Sequence, residues 1–243
     1  HKLSVIQECG QSLGATFRGQ PVGNFRHVAA FSFCQDKIMT TGGEGGMITT
    51  NQTAVWQKIW SLKDHGKNYD TAFNQPHDIG FRWLHESFGT NWRMTEMQAA
   101  IGRIQLNKLP LWLKIRQDHA EYLSAHLKQI PGLRIPMPPS YIKHAYYKFY
   151  VFLELDKLKP TWSRHKILQA INAACVPCFT GICSEIYLEK AFSRSGLAPA
   201  NRYPVAQALG ESSLMLLLHP TLTGEHMSFT VSVVKEIMQQ ALA

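Results

Sequence analysis

The chain has no apolar run of the ~18–20 residues that a membrane-spanning helix needs. Its opening, His1-Lys2-Leu3-Ser4-Val5-Ile6, lacks both the apolar stretch and the small-residue cleavage site of a secretory signal. It also lacks an initiator methionine, which suits a fragment or a processed chain. The formal net charge is +8, yet no run of five Lys or Arg occurs and no nucleic-acid-binding motif accompanies the scattered basic residues. Neither nucleic acid nor a membrane is therefore expected as a partner, and anionic small molecules or surface drift account for the excess charge. Cysteines number five: Cys9, Cys34, Cys175, Cys178 and Cys183. An odd count argues against a disulfide framework and suits a reducing cytoplasm. Cys175-x-x-Cys178 with Cys183 lacks a fourth metal ligand at a sensible spacing, and Pro177 and Phe179 make a poor ligand loop. Buried or pocket-lining thiols are expected there rather than zinc, and no metal site is expected elsewhere. Internal repeats and low-complexity stretches are absent too.

What is present is an ordinary globular composition. The 243 residues are 45% hydrophobic and 17% charged, enough for a core and two domains. Leu3–Ile6 and Val28–Phe33 read as strands, and a Gly-rich turn at 42–46 leads to a third strand at Met47–Thr50. Thr53–His65 has helical spacing through Val55, Ile59 and Leu62. This order suggests an α/β layer. Residues 66–93 show scattered aromatics without periodicity and read as a long loop, a length that usually serves a site or an interface. Thr95-x-x-Gln98 predicts a capping box for a helix with Met97, Ile101 and Ile104 on one face. Pro110 is expected to start the next helix, with Trp112, Ile115, His119, Tyr122 and Leu127 towards a core, and Pro131-Gly132 to end it. Beyond the prolines at 136, 138 and 139 the pattern changes: β-rich Tyr146–Leu155, helical Thr161–Ala174, irregular 175–203, a strand at Leu214–Leu218, and a last helix capped by Thr223 with Met227, Val231, Val234 and Met238 as its stripe. This is a second, smaller α+β unit, and the expected division is 1–125 and 126–243.

Lys37 stands just past a predicted strand end, after Ser32-Phe33 and before the Gly-rich turn. Such a lysine can reach a cleft, and burial or neighbouring cations would make its amine a nucleophile for a carbonyl. Ser32 and nearby backbone donors could hold a phosphate. Taken alone, a single lysine beside glycines is more often a solvated loop residue. Glu8 ends the first predicted strand, where α/β folds place ligands. A carboxylate there could keep a ring nitrogen protonated, or could simply cap a following helix.

The combination is more specific than its parts. Val5-Ile6-Gln7-Glu8-Cys9-Gly10-Gln11-Ser12-Leu13-Gly14-Ala15, then Phe31-Ser32-Phe33 with Lys37, then Gly43-Glu44-Gly45-Gly46, then Gly89-Thr90-Asn91-Trp92-Arg93-Met94-Thr95-Glu96-Met97-Gln98-Ala99-Ala100 occur in one order. This series resembles the DegT/StrS family of pyridoxal-phosphate (PLP) dependent nucleotide-sugar aminotransferases, strongly through residue 102 and more loosely in Cys178–Phe192, Leu214–Thr223 and the last helix. The run around Asn91 and Tyr146-Tyr147-Lys148 look most like the perosamine-synthase branch. The resemblance implies an α/β fold, part of a type I PLP-transferase large domain followed by the smaller α+β domain. It implies that Lys37 carries the cofactor, that Ser32 contacts its phosphate, that Gln11 bonds its ring oxygen, that Glu8 faces its pyridine nitrogen, and that Asn91 reaches the phosphate site of a neighbouring subunit in a homodimer with shared sites. The implied reaction moves an amino group, from glutamate as donor, to a keto sugar on a nucleotide, in amino-sugar or surface-polysaccharide (lipopolysaccharide) biosynthesis in the cytoplasm.

Two positions depart from the family pattern: Glu8 stands where Asp is usual, and Gly10 where a small Ala is usual. Some relatives have His at the lysine position and are dehydratases, which Lys37 argues against here. The alignment also places His1 just ahead of the strand bearing the pyridine-nitrogen acid. The family's amino-terminal strands, its phosphate loop and the aromatic that stacks on the cofactor are then expected to precede this stretch. The alternative expectation is a truncated remnant that folds or dimerises without making amino sugar.

Overall fold

A computed structural model describes residues 3–25 and 27–243; His1 and Lys2, which open the first expected domain, and Arg26 lie outside the described residues. In chain order the first elements are β1 (Ile6–Glu8), β2 (Thr16–Phe17), β3 (Gln20–Pro21), β4 (Val28–Ser32), β5 (Gly46–Thr49), α1 (Thr53–Lys63), α2 (Tyr69–Phe73) and α3 (Glu96–Leu127). They are followed by β6 (Leu133–Arg134), β7 (Ile142–Lys143), β8 (Phe149–Leu153), α4 (Arg164–Ala173), β9 (Cys178–Phe179), α5 (Lys190–Arg194), α6 (Pro204–Ser212), β10 (Ser213–Leu216) and α7 (Gly224–Ala241). Contacts divide the chain into two compact units, His1–Leu111 with Ser140–Ala145, and Trp112–Pro139 with Tyr146–Ala243. The division falls inside α3, where the sequence pattern placed it at 125/126. Ala120, Leu123 and Leu127, in the second half of α3, belong to the core of the second unit, which explains the difference.

The first unit is built on β4. β1 pairs with it in parallel, with Ile6 opposite Val28 and Glu8 opposite Ala30. β5 pairs with it antiparallel, from Ala29 opposite Thr49 to Ser32 opposite Gly46. The strand expected at Leu3–Ile6 forms instead at Ile6–Glu8. Leu3 and Val5 are exposed, while pairing continues past Glu8 through the Cys9 N–H bond to Ala30 O (2.8 Å). A partner strand, not apolar content, sets the strand's limits here. A small second sheet, order β3-β2-β7, was not foreseen; its strands are two residues each, too short to show alternation.

α1 forms as expected. Trp56 and Trp60 on it pack edge-on against Tyr69 of α2 (4.8 and 5.1 Å between centroids). Apart from α2 and isolated bridges such as Lys67 to His85, residues 66–93 are irregular, as the sequence suggested. The chain there folds back on Gly66, whose carbonyl accepts from the N–H groups of Glu86 and Ser87 (3.0 and 3.2 Å). Gly66 has φ 86° and a Cβ on it would collide with Ser87 O, so only glycine fits.

The capping box at the start of α3 is present: Gln98 N–H donates to Thr95 Oγ1 (3.3 Å) and Thr95 N–H to Gln98 Oε1 (3.1 Å). The helix then runs unbroken through Pro110, contrary to the expectation of a new start there. Proline removes one donor and leaves the carbonyl four residues back without its helical bond. Both Pro110 and Leu106 are exposed, so this turn lies where water is at hand for a freed carbonyl and the helix can persist. Met97, Ile101 and Ile104, expected on one face of this helix, do not line the core. All three are exposed, and the inner face runs through Gly102 and Leu109 instead.

The second unit has a four-stranded antiparallel sheet, order β6-β8-β10-β9. β8 alternates, with Phe149, Val151 and Leu153 buried, while all four residues of β10 are buried, as in a strand covered on both faces. Ile167 and Ile171 of α4 and Met227, Val234, Ile237, Met238 and Ala241 of α7 complete the core at helical spacing. Thr223 caps α7 as expected, in a reciprocal box with His226. α6 was missed by the sequence reading, although Pro204 at its first turn is a standard start signal. Of the three clustered cysteines, Cys178 is buried and its thiol is pushed up to about 11 by burial, while Cys175 and Cys183 are exposed.

Within the stretch 175–203 one buried acid organises the chain. Glu185 accepts from Arg202 Nε (2.9 Å) and Nη2 and from the Tyr187 hydroxyl (2.5 Å), and Tyr187 Oη accepts from Tyr203 N–H (2.9 Å). Hydrogen bonds from Arg202 and then Tyr187 hold the Glu185 carboxyl at about 2, against 4.5 for an ordinary one. A depressed folded-state value stabilises the fold above the unfolded value, and that stabilisation disappears as pH falls towards the folded value. Glu185→Gln is therefore expected to lower Tm at pH 7 and to flatten the fall of Tm between pH 4.5 and 2. Identical pH dependence of Tm in the two proteins would contradict this.

Candidate functional site

The parallel pairing of β1 and β4 puts their carboxyl ends side by side. Glu8 ends β1 and Ser32 ends β4. No helix follows Glu8, so the helix-cap reading is set aside; residues 10–14 form a turn. Glu8 folds back so that Oε1 accepts from Gly10 N–H (2.8 Å). Gly10 is buried, and a Cβ built on it would lie 2.5 Å from Glu8 Oε1 and 3.5 Å from Ser32 Cβ. Glu8 and Ser32 are thus gathered on either side of a position without a side chain. Gln11 follows directly, exposed in the turn.

Lys37 sits in the connection from β4 to β5, and that connection is not a slack loop. Phe33 N–H donates to Gly45 O (2.8 Å) and Thr41 N–H to Phe33 O (3.2 Å), which closes residues 33–45 at its base. Phe33, Ile38, Met39 and Thr41 are buried, so side chains on both sides of Lys37 anchor it. Lys37 N–H donates to Cys34 O (3.1 Å), and the lysine is itself half-buried. The Gly-rich turn is tightly filled. Gly42 and Gly43 have φ of 83° and 149°, and a Cβ on Gly45 would collide with Thr41 Oγ1. Gln98 of α3 donates to Glu44 O (2.7 Å), and Thr41 Oγ1 to the same carbonyl (3.3 Å). The backbone that carries Lys37 is thereby held by packing and hydrogen bonds, unlike that of a slack loop.

Asn91 stands apart from this group. It bridges to Asp64 at the end of α1, and its Oδ1 accepts from Arg93 Nε (3.1 Å). With the amide oxygen turned to Arg93, the Nδ2 hydrogens face the other way as donors. Asp64 is buried beside Lys67 (3.2 Å) and Arg93 (3.5 Å). Burial opposes its ionisation, but the Lys67 hydrogen bond and the charges of Lys67, Arg93 and Lys63 outweigh it and hold its carboxyl below the usual value. The sequence reading missed Thr41, Asp64 and Arg93 as supports. Arg93 lay within a quoted motif, whereas nothing in the pattern marked Thr41 or Asp64.

A strand-end carboxylate, a strand-end hydroxyl and a lysine on a braced connection between strands thus lie in one α/β unit, and such groups suit an anionic group and a carbonyl. The chain belongs to the DegT/DnrJ/EryC1/StrS aminotransferase family, whose sequence profile matches residues 1–235. An aminotransferase structure from Psychrobacter cryohalolentis is similar at 51% identity and a TM-score of 0.94, over 99% of this chain and 63% of that one. GDP-perosamine synthase of Caulobacter vibrioides is 36% identical over 57% of this chain and 34% of its own length. The dTDP-3-amino-3,4,6-trideoxy-alpha-D-glucose transaminase of Streptomyces venezuelae is 27% identical over 97% of this chain and 57% of its own. The α/β fold is therefore the one shared by sugar aminotransferases, and the family implies pyridoxal phosphate as cofactor. The chain spans 58–61% of the length of the first curated relatives matched along nearly all of it.

The residues present fit that cofactor in kind: a carboxylate for a ring nitrogen, a hydroxyl for a phosphate and a primary amine for an aldehyde. The bracing of the Lys37 loop is open to a direct check. Gly45→Ala should overpack the buried Thr41 contact, cost ~1–3 kcal/mol of stability and speed amide exchange at Phe33 and Thr41. Unchanged exchange at both amides would mean that the loop is not held by this contact.

Proposed function

We propose that this chain is part of an enzyme that transfers an amino group from glutamate to a keto sugar carried on a nucleotide, in amino-sugar or surface-polysaccharide biosynthesis. The observation that carries the reading is the placement of Lys37 on a braced connection leaving the strand that ends in Ser32, beside the parallel strand that ends in Glu8. Family membership and the relatives' printed activities support it.

When bound, pyridoxal phosphate supplies an electron-withdrawing ring that makes a proton on the neighbouring amine-bearing carbon removable. The remaining work falls to the protein. The Glu8 carboxylate keeps a proton on the ring nitrogen. The Ser32 hydroxyl donates to the phosphate, and Gln11 to the ring oxygen. The Lys37 amine would hold the cofactor and, when free, would take and return the proton at the reacting carbon. The Asn91 amide donates to the phosphate bound by a second copy. The test is reduction with borohydride in the presence of pyridoxal phosphate, followed by peptide mapping. The stable adduct is expected on Lys37 and should vanish in Lys37→Ala. An adduct on another lysine contradicts the assignment, and no adduct at all favours a folded remnant without activity.

The surface of the first unit supports a homodimer. Ile79, Phe81, Trp83, Phe88 and Trp92 on the irregular stretch and Met97, Ile101 and Ile104 on α3 are all exposed. Apolar exposure on this scale is a liability in a monomer and is expected to be covered by a second copy. Sedimentation velocity at micromolar concentration is expected to give a dimer, and Trp83→Ser with Phe88→Ser to shift it towards monomer without loss of helical circular dichroism. A wild-type monomer, or a dimer indifferent to both substitutions, contradicts this interface.

A further inference from the structure

We propose that Gly10 is the positioning residue that allows a glutamate to serve at position 8, so that Glu8 and Gly10 act as one unit. The proposal rests on the reading of Glu8 as the partner of the cofactor's ring nitrogen. Its basis is a distance. Glu8 Oε1 accepts from the N–H of Gly10, two residues on (2.8 Å). Aspartate makes a contact of this kind with a short, direct side chain, the Asx turn. Glutamate has one more methylene, so its chain must fold back to reach the same N–H. The folded carboxylate then lies where residue 10 would carry its Cβ, 2.5 Å from the ideal Cβ position, closer than real Cβ contacts allow.

The backbone does not account for the glycine. Gly10 is not among the residues with positive φ, so any L-residue could adopt its conformation. Nor does the other side of the space exclude a methyl, since Ser32 Cβ lies at an ordinary 3.5 Å. Of these neighbours a methyl at residue 10 would clash with the Glu8 carboxylate, and the flexible end of that side chain would be the part to move. The Gly10 contact engages Oε1, which orients the carboxylate and leaves Oε2 as the oxygen for a cationic N–H donor. The two departures from the family pattern are then coupled: the longer acid occupies the volume that the missing methyl vacates.

The test uses Gly10→Ala, Glu8→Asp and the double variant, with two readouts. The first is amide exchange at residue 10 in the cofactor-free protein. Gly10→Ala is expected to expose that amide, speeding exchange roughly tenfold, as for loss of one hydrogen bond to a charged acceptor, whereas the double variant should return to within about twofold of wild type because the shorter aspartate makes the contact beside a methyl. The second readout is pyridoxal phosphate affinity by titration, expected to weaken by about fivefold or more in Gly10→Ala and to recover in the double variant. Additive behaviour of the two substitutions in amide exchange would overturn the coupling. Coupled exchange with an affinity indifferent to all three variants would overturn the pair's role towards the cofactor. Coupled exchange in a wild-type protein that binds no pyridoxal phosphate would leave the pairing standing and remove the functional reading on which the cofactor role rests.

Discussion

The parallel pairing of three residues, Ile6–Glu8, with Val28–Ala30 is the constraint on which the candidate site depends. Parallel strands end on the same side, and α/β proteins gather ligands at those carboxyl ends. The register places Glu8 opposite Ala30, so that Ser32 lies one alternation beyond on the same face of β4, and it brings both side chains around Gly10. A slip of one residue would turn Glu8 to the opposite face and separate the acid from the hydroxyl. Everything downstream inherits this register, including the point at which the chain leaves β4 towards Lys37.

The two units divide the work. The second has its central strand buried at every position and its helices packed at regular spacing, the pattern of a self-sufficient core. The first carries every proposed site residue and is thinly covered: all four residues of β5 are exposed, as are the apolar residues of α3 at 97, 101 and 104. Its order comes from local devices instead, namely the closed base of 33–45, the filled glycine turn, the Gly66 fold-back and the buried Asp64 between two cations. Such a unit is precise where the site needs it and unfinished on its outer surface, which fits a site completed by further protein surface.

Features written in short-range chemistry were legible in the sequence. Thr95 with Gln98 and Thr223 at the head of α7 announced helix starts because capping needs only residues three apart. The apolar stripe of α7 was readable from periodicity, and β8 from its β-rich composition. Features that depend on a distant partner were not. β1 shifted to Ile6–Glu8 because β4 dictates its limits, and the two-residue strands of the small sheet carried no alternation. α3 passed through Pro110 because that turn faces solvent, a fact about burial rather than propensity. In the site, the ordered motifs marked Glu8, Gln11, Ser32, Lys37 and Asn91, and the structure shows Glu8 and Ser32 brought together and Lys37 braced. The supports at Thr41 and Asp64 had no sequence signal, and while Glu8 and Gly10 each stood out from the family pattern, the contact between them exists only in the folded chain.

The central claim is that Glu8, Ser32 and Lys37 form one cofactor site on the ends of β1 and β4. A crystal structure of the protein with pyridoxal phosphate tests it most directly. The expected result is continuous density from the cofactor to Lys37, with the ring nitrogen within hydrogen-bond distance of the Glu8 carboxylate and the phosphate at the Ser32 hydroxyl. Cofactor joined to another lysine, or held at Lys37 with its ring nitrogen away from Glu8, would contradict it.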